Sequence, residues 1–190
     1  MRWRITSSER SAQGRALFTC ILAHKKNRRI AFGRHIVLLF EDLTTIRYQI
    51  QEMLRIEKVF EAAGIQEELD AYNPLIPDGT NWKCTLLIAY DDPDERRVRL
   101  EALLGIEDTV WLRVGDSAPV HAVADEDLDR SRDSKTASVH FLRYELTPEM
   151  ISAMQQGAEL YAGIAHQAYP VEAFAVPRVT RDALARDLEA

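Results

Sequence analysis

The sequence predicts an α+β fold built on a mainly antiparallel sheet that is free to curve strongly. Three observations carry this expectation. Apolar runs of strand length, rich in Ile, Val, Leu and aromatic residues, are separated by short turns. Helical segments are inserted irregularly, without the strict strand–helix alternation of a parallel sheet. One of them, from Ile46 to about Ala63, has the apolar stripe of a long amphipathic helix that packs on the sheet.

In chain order, residues 15–25 suit a short helix that ends at Lys25 and Lys26. Arg29 to Phe32 and His35 to Glu41 read as two strands around Gly33, which permits the turn. Thr44 or Thr45 can cap the long helix, and Gly64 supplies its stop. A second helix, Gln66 to Tyr72, must end before Pro74. The segment Asn73 to Asn81 then forms a structured loop, and Trp82 to Tyr90 a strand. Pro93 opens a helix that stops at Gly105. Thr109 to Val114 and Val120 to Ala124 make a hairpin, and Asp125 to Arg132 a charged helical turn. Ala137 to Leu146 is the longest strand candidate. Thr147 and Pro148 supply the cap and first position of a helix that reaches Gln156. Glu159 to His166 is a further strand. The stretch His166 to Pro177, broken by Pro170 and Pro177, reads as a flexible connection to a last helix capped by Thr180.

A chain of 190 residues suits one domain, with 46% apolar and 28% charged residues, near the globular average. The division expected is a basic N-terminal arm or helix over 1–24, a single α+β domain over 25–170, and a C-terminal linker and helix over 171–190. Charge is uneven. Residues 1–34 hold nine Lys or Arg and one acid, a sum of +8, so a total of -6 leaves -14 for the rest. A basic arm either seeks an anionic partner or lies on its own acidic body. The acidic body argues against nucleic-acid binding, which needs a cationic face. The apolar run Ala16 to Ala23 falls short of the roughly 20 residues of a membrane span. The sequence therefore reads as cytoplasmic. Cys20 and Cys84 make no disulfide framework, no CxxC pair and no zinc spacing.

Polar residues in apolar settings are the candidate sites. On the long helix, Glu57 falls within the stripe of Ile46, Ile50, Met53, Leu54 and Phe60, with Gln49 at its edge. A buried carboxylate there needs a cationic partner from the sheet, a metal or a catalytic role. A rotated helix would instead deliver it to water. Strand alternation sets His140 among Leu142, Tyr144 and Leu146, and Arg143 on the opposite face. His140 is either a ligand or proton carrier, or a hydrogen-bonded core histidine. Trp82, Cys84, Leu86 and Ile88 share a face, which buries Cys84 as an inert thiol. Lys83 points the other way and could meet a carboxylate such as Glu57. No HExxH, P-loop, GxGxxG, GxSxG or EF-hand series is present, so cofactor and metal are left unassigned.

Several long ordered runs resemble a known family. They are Tyr48-Gln-Ile-Gln-Glu-Met-Leu-Arg55, Gln66-Glu-Glu-Leu-Asp-Ala-Tyr-Asn-Pro-Leu-Ile-Pro-Asp-Gly79, Ala124-Asp-Glu-Asp-Leu128, Val139-His-Phe-Leu-Arg143, Thr147-Pro-Glu-Met150 and Gly163-Ile-Ala-His166. Over residues 25–170 the chain is similar to the bacterial domain-of-unknown-function family DUF3501. The resemblance implies a setting rather than a mechanism: genes beside those for rubrerythrin-like proteins and iron–sulfur oxidoreductases, as in an oxygen- or peroxide-defence system.

Three functions are consistent with these readings. The first is an accessory protein whose partner is a rubrerythrin-like or iron–sulfur protein. The second is a small metal-dependent or acid–base enzyme that uses Glu57 with His140, Arg143 or Lys83; it requires these groups to converge. The third is a small-molecule-binding domain whose mouth is Asn73, Asp78, Asn81 and Trp82.

Overall fold

A computed structural model describes residues 19–124 and 135–189. Helix α1 covers residues 19–26. It is followed by β1 (Arg29–Phe32), β2 (Ile36–Phe40), α2 (Leu43–Glu57) and α3 (Ala62–Tyr72). A 3-10 turn at Asn73–Leu75 leads to β3 (Asn81–Ile88) and α4 (Pro93–Ala102). A second 3-10 turn, Ile106–Thr109, leads to β4 (Val110–Val114) and β5 (Val120–His121). The rest is β6 (Val139–Glu145), α5 (Pro148–Gln155), β7 (Leu160–His166), β8 (Tyr169–Ala175) and α6 (Arg178–Ala185). The expected charged turn at Asp125 to Arg132 lies outside the described residues.

The fold is α+β, as predicted, but with two antiparallel sheets rather than one. Their strand orders are β1-β2-β3-β6 and β5-β4-β7-β8. Neither sheet closes on itself. They approach at two places: paired backbone bonds join Val123 to Arg143, and the Tyr169 hydroxyl donates to Phe32 O at 2.7 Å. Alternation sends one face of each sheet into a shared core. Ile36, Leu38 and Phe40 from β2 meet Trp82, Leu86 and Tyr144 there, with Leu112, Leu160 and Ile164 from the second sheet.

Four boundaries differ from the sequence reading, each for a local reason. Helix α2 stops at Glu57, six residues before the expected Ala63, because Lys58 adopts the left-handed conformation at φ 56° and its N–H turns back to Leu54 O. Gly64 is not the stop but part of α3. A Cβ there would come within 2.6 Å of Val59 Cγ1, so glycine makes room in the first turn of α3 for the Val59 side chain of the connecting loop. Residues 169–175, expected as a flexible connection, form β8. It is an edge strand, paired only with β7, and an edge tolerates Pro170. Helix α6 opens directly after Pro177, which leaves Thr180 buried inside it rather than capping it. The expected division near residue 170 thus falls inside a strand. Thr147 does cap α5 through its hydroxyl, with Pro148 in the first turn.

Candidate functional site

The expected catalytic group does not assemble. Glu57 is the last residue of α2 and is exposed, because the helix presents that end to water. Its buried face is limited to Thr45, Ile46 and Ile50 near the start. His140 lies on the inner face of β6, only 5% exposed. Its Nε2 is 2.8 Å from the Thr136 hydroxyl and 3.0 Å from Ala137 O. The Thr136 hydroxyl in turn donates to Glu107 at 3.1 Å. His140 is thus a hydrogen-bonded core histidine. Beside it, burial and then the Glu107 charge push the Asp108 carboxyl upward, partly opposed by His140. Lys83 and Arg143 sit opposite each other on the outer face of the first sheet, away from His140.

The expected ligand mouth is likewise displaced. Trp82 is 1% exposed and donates its indole N–H to Leu184 O at 3.0 Å, so it holds α6 rather than facing a ligand. Asp78 accepts from the Thr80 N–H at 2.9 Å, the Thr80 hydroxyl at 2.8 Å and Asn81 Nδ2 at 2.9 Å. The Thr80 N–H, then its hydroxyl, hold the Asp78 carboxyl below its ordinary range. Asn81 is buried, and Asn73 is an exposed residue of the 3-10 turn. The loop satisfies itself.

A hollow lies between the outer face of the first sheet and the α2–α3 hairpin. Its volume is ≈ 260 Å³. Register places Leu39, Thr85 and Phe141 side by side across β2, β3 and β6 as its floor. Ile46 and Gln49 of α2, with Tyr72 and Leu75, form the wall, and Lys25 of α1 joins them. Glu41 stands just past the end of β2, and its carboxylate is fixed at both oxygens. Oε2 accepts from the Thr45 hydroxyl at 2.6 Å and Oε1 from the Thr85 hydroxyl at 3.3 Å. A smaller void continues past Glu41 to Lys83 and Arg143. There Lys83 donates to Pro74 O at 2.6 Å, and Arg143 pairs with Glu145 at 2.6 Å. The carboxylate that lines this void with Lys83 is therefore Glu41, not Glu57.

Cys84 projects from the same strand into the core and is 2% exposed, as strand alternation predicts. Burial, then the nearby Glu41 charge, push its thiol well up. Native protein treated with a thiol-specific disulfide reagent is expected to modify Cys20, which is exposed, and to spare Cys84 until denaturant is added. Fast modification of Cys84 in the native state would show that this part of the core opens.

Beyond the hollow the hairpin stands clear of the body. Helix α3 has no buried residue, and only the first half of α2 is packed. At the tip Ile56 is 61% exposed and Phe60 82%. Among the described residues no three His, Cys, Asp or Glu side chains are grouped to hold a metal, and no helix is long and apolar enough to cross a membrane.

The model of a family described as Protein of unknown function (DUF3501) matches residues 2–188. The chain belongs to DUF3501. No curated protein matches it. A crystal structure of a novel protein of unknown function from Burkholderia pseudomallei K96243, at 1.90 Å resolution, is 48% identical, with a TM-score of 0.88. The match covers 98% of this chain and 100% of that one. The DUF3501 runs that marked the resemblance also build much of the hollow. Gln49 lies in the first run, Tyr72 and Leu75 in the second, and Phe141 in the fourth. Glu41 and Thr85 were missed by sequence reasoning. The available signal was an acid closing an otherwise apolar strand, on the same face as Leu39 and in the row beside Lys83.

Proposed function

We propose that this DUF3501 protein is a cytoplasmic accessory protein that docks on a partner through the tip of the α2–α3 hairpin. The partner class is the one the family resemblance implies, a rubrerythrin-like protein or an iron–sulfur oxidoreductase of an oxygen- or peroxide-defence system. The supporting observation is Phe60, a large aromatic side chain left 82% exposed. Ile56 lies four residues before it, at the end of α2, and half-buried Val59 and Met53 widen the apolar area. Burying Phe60 alone is worth about 1.5–3 kcal/mol, and exposed aromatic anchors often dominate protein interfaces. The hairpin is also acidic. Residues 43–72 carry six Asp or Glu and three Lys or Arg, so a partner with a basic rim is favoured.

The test is affinity capture from the native host with the wild-type chain and Phe60→Asp in parallel. Wild type is expected to retain a rubrerythrin-like or iron–sulfur protein, and the variant to lose it. Phe60 packs so little that the variant's unfolding free energy should stay within about 0.5 kcal/mol. Equal capture by both chains, or no redox protein with either, overturns the proposal. So does a wild-type dimer that Phe60→Asp converts to monomer, because the tip would then belong to a second copy.

A further inference from the structure

We infer that the hollow beneath the α2–α3 hairpin binds a small zwitterion with an apolar side chain, an α-amino acid or a close analogue. The inference is separate from docking at the hairpin tip and stands or falls without it.

Size comes first. At ≈ 260 Å³ the hollow lies just under the roughly 300–1,000 Å³ of sites for drug-sized ligands. Its occupant is therefore small, well short of a nucleotide or a flavin.

The walls then specify chemistry. Leu39, Ile46, Leu75 and Phe141 offer apolar surface to a hydrophobic side chain. Glu41 offers a carboxylate whose partners among the described residues are two hydroxyls, Thr45 and Thr85. A carboxylate has about four lone-pair positions, so two are open to a donor that enters the hollow. Neither hydroxyl neutralises the negative charge, and a ligand ammonium does both tasks at once. The hydroxyls also fix the carboxylate beforehand, which lowers the ordering cost of binding.

An amine alone leaves the opposite charge unanswered. Of the three cationic residues along the hollow and its extension, Lys83 is committed to Pro74 O and Arg143 to Glu145. Lys25 lines the main hollow, with its ammonium 5.4 Å from the centre of the Tyr48 ring. With no carboxylate paired to it among the described residues, it is the cation of this lining left to answer a ligand carboxylate. One acid, one base and an apolar wall, all lining the same hollow, match a zwitterion carrying a hydrophobic group.

Titration calorimetry on the full chain tests this with L-phenylalanine, phenethylamine and hydrocinnamate, which keep the apolar group and vary the charges. Phenylalanine is expected to bind saturably, and each single-charge analogue about tenfold or more weakly. Glu41→Gln should weaken phenylalanine by about tenfold or more, and Lys25→Met should remove its advantage over phenethylamine. Because Glu41 also braces α2, a second variant, Leu75→Trp, fills the hollow without touching the carboxylate. It should melt like wild type and bind nothing. The inference is overturned if wild type gives no saturable binding, if phenethylamine or hydrocinnamate binds as tightly as phenylalanine, or if Leu75→Trp binds undiminished.

Discussion

Arg28→Ala is expected to cost about 3–5 kcal/mol of stability, the range for removing one member of a buried ion pair. Arg28 is 3% exposed at the foot of β1 and ties three parts of the chain together. Its Nε donates to Phe40 O at 3.2 Å and its Nη2 to Glu41 O at 3.0 Å. Nη1 lies 3.1 Å from Asp187 Oδ1 and 3.3 Å from Asp42 Oδ2, and Nη2 meets the second Asp187 oxygen. Alanine leaves two carboxylates and two carbonyls without this donor, and a buried unpaired charge is the costly outcome. Lysine would recover little, because a compact ammonium cannot replace the guanidinium fork.

The two acids give this prediction a pH signature. Burial pushes Asp42 up, but the Thr45 N–H, Arg28 and His24 together hold it below 3.8. Its contribution is present above the unfolded value and lost as pH falls through the lower folded one. Asp187 goes the other way. Burial raises it above 3.8 despite Arg28, so its contribution is present below 3.8 and lost as pH rises through the folded value. Arg28 lowers both carboxyls. Removing it therefore costs most at neutral pH, and the deficit should narrow as pH falls through the carboxylate range, first through the raised Asp187 value and then through the lowered Asp42 one. Urea denaturation of wild type and Arg28→Ala at neutral and acid pH reads both effects. A neutral-pH loss under about 1 kcal/mol would mean the cluster does not clamp the fold.

Trp82→Ala is expected to cost a similar amount, about 3–5 kcal/mol for emptying a core aromatic site. The indole packs edge-on to Phe40 with centroids 6.4 Å apart, and its N–H is the bond that reaches Leu184 O in α6. Trp82→Phe should be milder, with α6 loosened by the loss of that bond. A ligand-mouth tryptophan would behave differently. Its alanine variant would keep wild-type stability, and thermal melts distinguish the two roles.

The legible parts of this fold were those that local chemistry decides. Thr147-Pro148 announces α5, and the alternation of Trp82, Cys84 and Leu86 announces which face of β3 is buried. The errors came where tertiary context decides. Nothing local distinguishes Pro170 in an edge strand from Pro170 in a linker; pairing with β7 settles it. The apolar stripe of α2 gave a face but not its depth of burial, because the hairpin leaves the sheet after its first turns. That departure put Glu57 and Phe60 in water and shifted the half-buried carboxylate to Glu41. The strand alternation that placed Lys83 and Arg143 on one face was sound, and only the acid beside them was misassigned. The hollow itself was invisible, since its lining comes from α1, α2, α3 and three strands.

Hydrogen exchange with and without the captured partner tests the docking account most directly. Amides from Ile56 through Leu69 are expected to exchange more slowly in the complex, while those of β4, inside the second sheet, stay unchanged. Protection that appears elsewhere and leaves the hairpin tip exchanging as in the free chain would contradict it.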